Sequence, residues 1–234
     1  IFSYTRAAWL SIFCASVIGL LVYFKVNFKF LVGLGFALGL VVYSQWDNLQ
    51  LTMAKNKHEH TTEEFEEKIQ SAANVTTDAS NLERINRWDC AYQMFQKKPV
   101  LGFGPGTYAF EYAPFQDPEN LTIISTNFGD MGNAHSEYLS ALSESGIIGL
   151  LLFLSVVAAI FICAIRLYYH TPNKESDIKL LIMGIIISLS SYFVHAFLNN
   201  YLDTDKAAVP VWAMCAMIIA MSLSETNDQS IKQG

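Results

Sequence analysis

The sequence predicts an all-α protein, a polytopic bundle that crosses a membrane several times and carries one large loop with amphipathic helices. Three observations lead there. Of the 234 residues, 52% are hydrophobic and only 15% are charged, against about 25% charged in an average soluble domain. Five apolar stretches are long enough to span a bilayer. The short loops between them are rich in lysine and arginine on one side only. The net charge of −6 is no argument for nucleic acid, because much of the acid (Glu59, Glu63, Glu64, Glu66, Glu67) sits in one stretch that reads as a solvated face.

The expected spans are residues 7–24, 30–46, 146–167, 178–200 and 207–223. A core of about 30 Å at 1.5 Å per residue takes about 20 residues, so the second and fifth are short. Lys25 and Lys29 lie between the first two spans; Arg166, Lys174 and Lys179 flank the turn between the third and fourth. Such loops stay cytoplasmic. Residues 25–29 and 168–177 and the C-terminal tail with Lys232 are therefore expected in the cytoplasm. Arg6, the segment 47–145 and the loop Leu202–Lys206 are expected on the outer side. The chain opens at Ile1 into an apolar run with no basic leader and no cleavage pattern, so no signal peptide is read. The expectation is a chain cut in its middle, with further spans before it.

The long loop is uneven. Residues 55–79 are polar and poor in aromatics, an exposed helix or mobile stretch. Residues 81–97 read as a helix with Leu82, Ile85, Trp88, Tyr92 and Phe95 on its apolar face and Ser80 or Asn81 as cap. Pro99 and Gly102-Phe103-Gly104-Pro105-Gly106 stop it in a rigid turn. Residues 107–128 are aromatic and irregular. Asn133 is the expected cap of a helix that begins near Ala134, breaks at Gly146 and continues as the third span. Cys14, Cys90, Cys163 and Cys215 show no ligand spacing and read as small buried side chains.

The candidate chemistry is polar side chains at the outer end. Arg84 and Arg87 are one helical turn apart and present two forks suited to phosphate oxygens; spacing alone favours a surface pair contacting Glu83, Asp89 or headgroups. Arg6, at the outer end of the first span, reads as a snorkelling anchor or a cation with a task. His135 is expected in the first turn of its helix, where the dipole keeps the ring neutral and able to take a proton. Glu137 and Glu144 are acids near it. His195, followed by Asn199 and Asn200, sits near the outer end of the fourth span, where an ionisable group faces a cavity or packs through a hydrogen bond. Asp203-Thr204-Asp205 reads as a turn. No acid and histidine set is read as a metal site, so no metal and no cofactor is expected.

Four stretches together resemble the O-antigen ligase/polymerase family. They are Arg84-x-x-x-Trp88, Pro99-x-x-Gly102-x-Gly104-x-Gly106, Ala134-His135-Ser136-Glu137-Tyr138-Leu139 and Glu144-Ser145-Gly146-x-x-Gly149. The opening Ser3-Tyr4-Thr5-Arg6-Ala7-Ala8 is similar to the family's Ser-x-Ser/Thr-Arg-Gly-Ala stretch, with alanine for the commoner glycine at 7; serine stands for the commoner asparagine at 136. The resemblance covers residues 3–160.

It implies a multi-pass glycosyltransferase of the bacterial inner membrane with its site on the periplasmic side. Such an enzyme moves a glycan from an undecaprenyl-diphosphate carrier to lipid A-core, to another carrier-linked repeat or to a protein side chain, without metal. Arg6, Arg84 and His135 inherit the family's essential positions. Arg87, Glu137 and His195, to which the resemblance assigns no role, complete the expected substrate-contacting set by their position at the outer end. Two other classes fit the spans: a transporter or flippase of lipid-linked sugars, and a structural or signalling protein whose long loop binds a partner.

Overall fold

The computed structural model describes residues 6–26, 79–118, 121 and 132–233, and all regular structure among them is helical. The elements are α1 (Arg6–Tyr23), α2 (Ala79–Lys97), α3 (Tyr108–Glu111), a 3-10 turn (Ala113–Phe115), α4 (Glu137–His170), α5 (Ser176–His195) and α6 (Asp205–Gln233). The all-α expectation holds. Three helices are long and apolar enough to cross a membrane, within Glu137–His170, Ser176–His195 and Asp205–Ser224; Ala8–Tyr23 is a shorter apolar helix. The fourth span stops at His195, earlier than expected, because residues 196–204 form turns rather than a last helical turn. The expected span 30–46 and the polar stretch up to residue 78 lie outside the described residues.

Helix α1 lies antiparallel on α5. Ser11 Oγ is 3.2 Å from Ser191 Oγ, and Gly19 sits against Ile187, where a Cβ would be 2.9 Å from that side chain. Small residues allow such close approach where lipid gives helices no hydrophobic reason to associate. At the far end of α1, Tyr169 Oη donates to the Val22 carbonyl at 2.9 Å, and Lys25 Nζ lies 5.7 Å from the Tyr169 ring centre. The two basic loops thus share one end of the bundle. The first turn of α1 and His195 share the other. The spanning core joins Val22, Ile160, Ala164, Leu167, Ile182, Ile186, Leu189, Val211 and Ile218; the exposed apolar flanks, such as Leu151 and Leu152 at 58% and 63%, are the faces a lipid-embedded helix leaves outward.

Helix α4 is not one straight rod. At Gly146 the backbone leaves helical values (φ 65°, ψ −165°). On a straight helix Tyr138 and Phe153 would be about 22 Å apart, yet their ring centroids are 5.7 Å apart. The arm 137–145 therefore folds back beside the start of the spanning arm 147–170. Folding back frees backbone groups that a continuous helix would satisfy. The turn after α2 takes them up. Phe103 N–H donates to Ser143 O (3.1 Å), Gly104 N–H to Glu144 O (2.8 Å), and Ile147 N–H to Pro99 O (2.9 Å). The contact is so close that a Cβ on Gly102 would collide with the Glu144 carbonyl, and one on Gly146 with the Val100 carbonyl. Both glycines also have left-handed φ, +66° and +65°, which side chains with a Cβ resist. The Gly-rich run is thus the expected rigid turn, and the structure adds that it clamps α2 to the fold-back of α4.

Candidate functional site

The site is built where α2 meets the segment leading into α4. The buried face of α2 is not the apolar stripe expected from periodicity. Glu83, Asn86, Arg87, Cys90, Ala91 and Met94 are buried, whereas Tyr92 is 51% exposed and Ile85, Trp88 and Phe95 are half-buried. The buried face can be polar because its groups pair. Arg87 Nε donates to Glu83 Oε1 at 2.6 Å, Asn86 Nδ2 to Gln116 Oε1 at 3.2 Å, and Tyr108 Oη to the Arg87 carbonyl at 2.7 Å. The Arg87 guanidinium carbon lies 3.9 Å from the centre of the Tyr112 ring, and Tyr112 stacks on Tyr108 at 5.4 Å. Gly132 passes so near that a Cβ there would meet Arg87 and Tyr112. Burial opposes the Arg87 charge, but the bonds to Glu83 and Tyr112 outweigh it and raise its pKa. Tyr112 was missed by the sequence reading; Glu83 was named as a contact of a surface pair, and the structure buries that contact instead, the i,i+4 spacing of Glu83 and Arg87 being its signal.

His135 sits outside its helix, which corrects the expected placement in the first turn. The N-cap is Ser136, whose Oγ accepts from Leu139 N–H at 3.4 Å, and α4 begins at Glu137. Asn133 instead accepts from the backbone N–H of His135 at 3.1 Å. His135 itself has φ +48°, a costly backbone for a residue with a Cβ and one that clusters at functional sites. Trp88 Nε1 donates to its carbonyl at 3.4 Å, tying it to α2. Its ring pKa is lowered, first by burial, then by Arg84 and Arg87, with Glu83 opposing. The neutral ring is thus favoured as expected, with the nearby arginines acting as foreseen and burial as the leading cause in place of a helix dipole. Arg84 is half-buried on the same helix.

The other expected residues fall at the same end. Glu137 is buried, 8% exposed, and its carboxylate turns away from His135: Oε1 accepts from Tyr192 Oη at 2.8 Å and from Leu202 N–H at 2.7 Å. Its own N–H donates to Ala196 O at 3.0 Å. It joins the starts and ends of α4, α5 and α6. His195 Nε2 is 2.9 Å from Asn199 Nδ2 and its ring stacks on Tyr201 at 5.7 Å. Glu144 accepts from Gly106 N–H at 2.9 Å and from Tyr108 N–H at 3.0 Å, so it holds the turn and α3. Arg6 opens α1 at this end; its side chain lies outside the described part of the structure. Leu202, Asp203 and Thr204 form a turn, with Asp203 accepting from Asn200 Nδ2 at 3.1 Å, and Asp205, expected in the turn, opens α6 instead.

Fold and site together define a polytopic helical membrane protein with a histidine, two arginines and a buried acid gathered at one end of the bundle. Comparison with known families agrees with the resemblance. The family described as O-Antigen ligase matches residues 1–154, and the chain belongs to that family. Membership makes it an enzyme of the O-antigen ligase type, a membrane glycosyltransferase. The match includes Arg6, Arg84, Arg87, His135 and Glu137 and leaves out His195. No curated protein and no solved structure matches significantly.

Proposed function

We propose that the chain is part of a metal-independent glycosyltransferase that takes a glycan from an undecaprenyl-diphosphate carrier. The acceptor is on the periplasmic side of the bacterial inner membrane. Ligation to lipid A-core is the first assignment and polymerisation onto another carrier-linked repeat the second. The observation that carries the reading is the meeting of His135 with the Arg84 and Arg87 side of α2.

In this reading the acceptor hydroxyl oxygen attacks the anomeric carbon of the donor. The bond from that carbon to the diphosphate oxygen breaks, and the diphosphate keeps the electron pair. Fixed guanidinium groups stabilise that growing charge; Arg84, and Arg6 from the first turn of α1, are the assigned cations. The hydroxyl proton passes to His135, whose neutral ring is available at pH 7. Arg87, held between Glu83 and Tyr112, adds its field and keeps His135 neutral. Glu137 and His195 border the same end and are assigned to substrate positioning.

The test is complementation of a deletion strain, read by lipopolysaccharide profiling. Deletion should leave core without O-antigen; the wild-type gene should restore it and the His135→Ala or Arg84→Ala genes should not. Core capped by a single repeat would move the assignment to polymerase, and a normal profile from His135→Ala would remove the base. Purified enzyme should keep its activity in EDTA. Loss restored by magnesium would overturn the metal-independent reading and return attention to Asp203 and Asp205.

A further inference from the structure

One exposed apolar pair lies on no spanning helix. Val100 is 55% and Leu101 72% exposed, in the turn that follows α2. Exposed single residues are ordinary, but this turn has a fixed height. Pro99 O accepts from Ile147 N–H at 2.9 Å, and the Val100 carbonyl packs directly on Gly146. Gly146 is the last residue before the apolar run of α4. Just beyond it, Ile147, Ile148, Leu151 and Leu152 are 39%, 44%, 58% and 63% exposed, the outward flank of a helix that crosses the membrane. The turn therefore continues that lipid-facing flank at the level where it begins.

Charge agrees with this level. Lys97, Lys98 and Pro99 are exposed beside the pair. Lys98 Nζ lies 4.2 Å from the centre of the Phe103 ring and Lys97 Nζ 5.2 Å from that of Phe115. Two ammonium groups over aromatic faces, next to two outward aliphatic side chains, are what an interfacial segment presents to lipid phosphates and upper acyl chains.

We infer that the turn 97–101 is a membrane-surface anchor, with Val100 and Leu101 entering the top of the acyl region of a phospholipid bilayer and Lys97 and Lys98 among its headgroup phosphates. Because the same turn is clamped to the fold-back of α4, the anchor sets the height of the His135 segment at the membrane surface. The inference rests on the spanning fold and stands apart from the transfer reading.

The test uses the full chain in nanodiscs of phosphatidylcholine and phosphatidylglycerol. Leu101→Cys, and separately Val100→Cys, carry an environment-sensitive fluorophore. The unsubstituted protein gives the background, since Cys90 and Cys215 are buried and Cys14 and Cys163 half-buried. Glu111→Cys, at an exposed acid of α3, is the aqueous reference. Labels at 100 and 101 should emit further to the blue than the label at 111. Phospholipids with a doxyl group near the top of the acyl chain should quench them several-fold more, and aqueous iodide several-fold less. Equal quenching at all three sites would overturn the inference in favour of a solvated turn. Labels at 100 and 101 shielded from both quenchers would overturn it in favour of a covering protein segment. Either result would leave glycan transfer intact, so its failure is separable from that of the proposed function.

Discussion

Replacing Gly146 with alanine should break the clamp that forms the site while leaving the spanning core in place. Two costs add. Alanine at φ +65° is in the left-handed region, which costs about 1–2 kcal/mol for a residue with a Cβ. The new Cβ also collides with the Val100 carbonyl, backbone that can retreat only by withdrawing the turn from α4. Withdrawal loses the bonds from Phe103, Gly104 and Ile147 N–H, each worth about 0.5–1.5 kcal/mol. The sum is about 2.5–6.5 kcal/mol. At 1.4 kcal/mol per tenfold, the lower bound corresponds to about 60-fold faster opening. Hydrogen exchange in nanodiscs reads this directly: the amides of residues 103, 104 and 147 should exchange at least about 60-fold faster, with those of α5 unchanged. Gly184→Ala, where a Cβ meets nothing within 4 Å, is the control and should leave all rates alone. Wild-type exchange at 103 and 104 in Gly146→Ala would refute the clamp.

Other outcomes follow from the same geometry. The pKa of His135 is lowered by burial and by Arg84 and Arg87, so the folded protein holds this proton less readily than the unfolded chain. Stability should then fall as pH drops below about 6.5, the ordinary imidazole value, and His135→Asn should flatten that fall in thermal unfolding. For the same reason the acid limb of kcat/KM should lie below about pH 6.5, and a limb above it would deny a neutral base its depressed pKa. His135→Ala should lower turnover about 10²–10⁴-fold with donor binding little changed, whereas Arg84→Ala should weaken donor binding as well, measured by titration of a lipid diphosphate. Glu137→Ala removes the acceptor of Tyr192 Oη and Leu202 N–H and should cost about 2–4 kcal/mol in detergent unfolding, with Glu137→Gln costing less; an unchanged unfolding midpoint for Glu137→Ala would contradict its bridging role.

The fold was legible in the sequence where a physical period or a chain-breaking residue wrote it. Apolar length marked α4, α5 and α6, and the lysines marked which loops share an end, as the contact of Lys25 with Tyr169 shows. Glycine and proline marked the turn after α2 and the break at Gly146. What periodicity could not show was the buried face of α2. In a soluble helix the apolar stripe goes inward; here Glu83, Asn86 and Arg87 are buried because Glu83 and Tyr112 partner the arginine and Gln116 the asparagine. Glu83 is a local partner, but Tyr112 lies 25 positions from Arg87 and Gln116 lies 30 from Asn86, and no local pattern encodes those two. Asn133 misled for a related reason. As a capping residue it competed with Ser136, and the left-handed backbone of His135 decided between them.

That left-handed residue shows how the break at Gly146 serves the site. A continuous helix from 137 to 170 would carry its first turn away from the bundle end. Folding back at Gly146 instead brings Glu137 N–H onto the Ala196 carbonyl and Tyr138 Oη onto the Phe193 carbonyl at 2.8 Å, so the arm is pinned to the end of α5. Ser136 then caps the arm, and His135 must leave it through an unfavourable backbone, held by Trp88 from α2 and by Asn133. Trp88, Asn133 and the Ser136 cap thus fix the backbone of His135 beside the arginine-bearing helix. The close approach of Gly102 to Glu144 and of Gly146 to Val100 keeps α2 against the arm and so helps to sustain the strain at His135. The glycines of the turn, which touch no candidate catalytic side chain, are therefore where substitution should cost the site most per atom added.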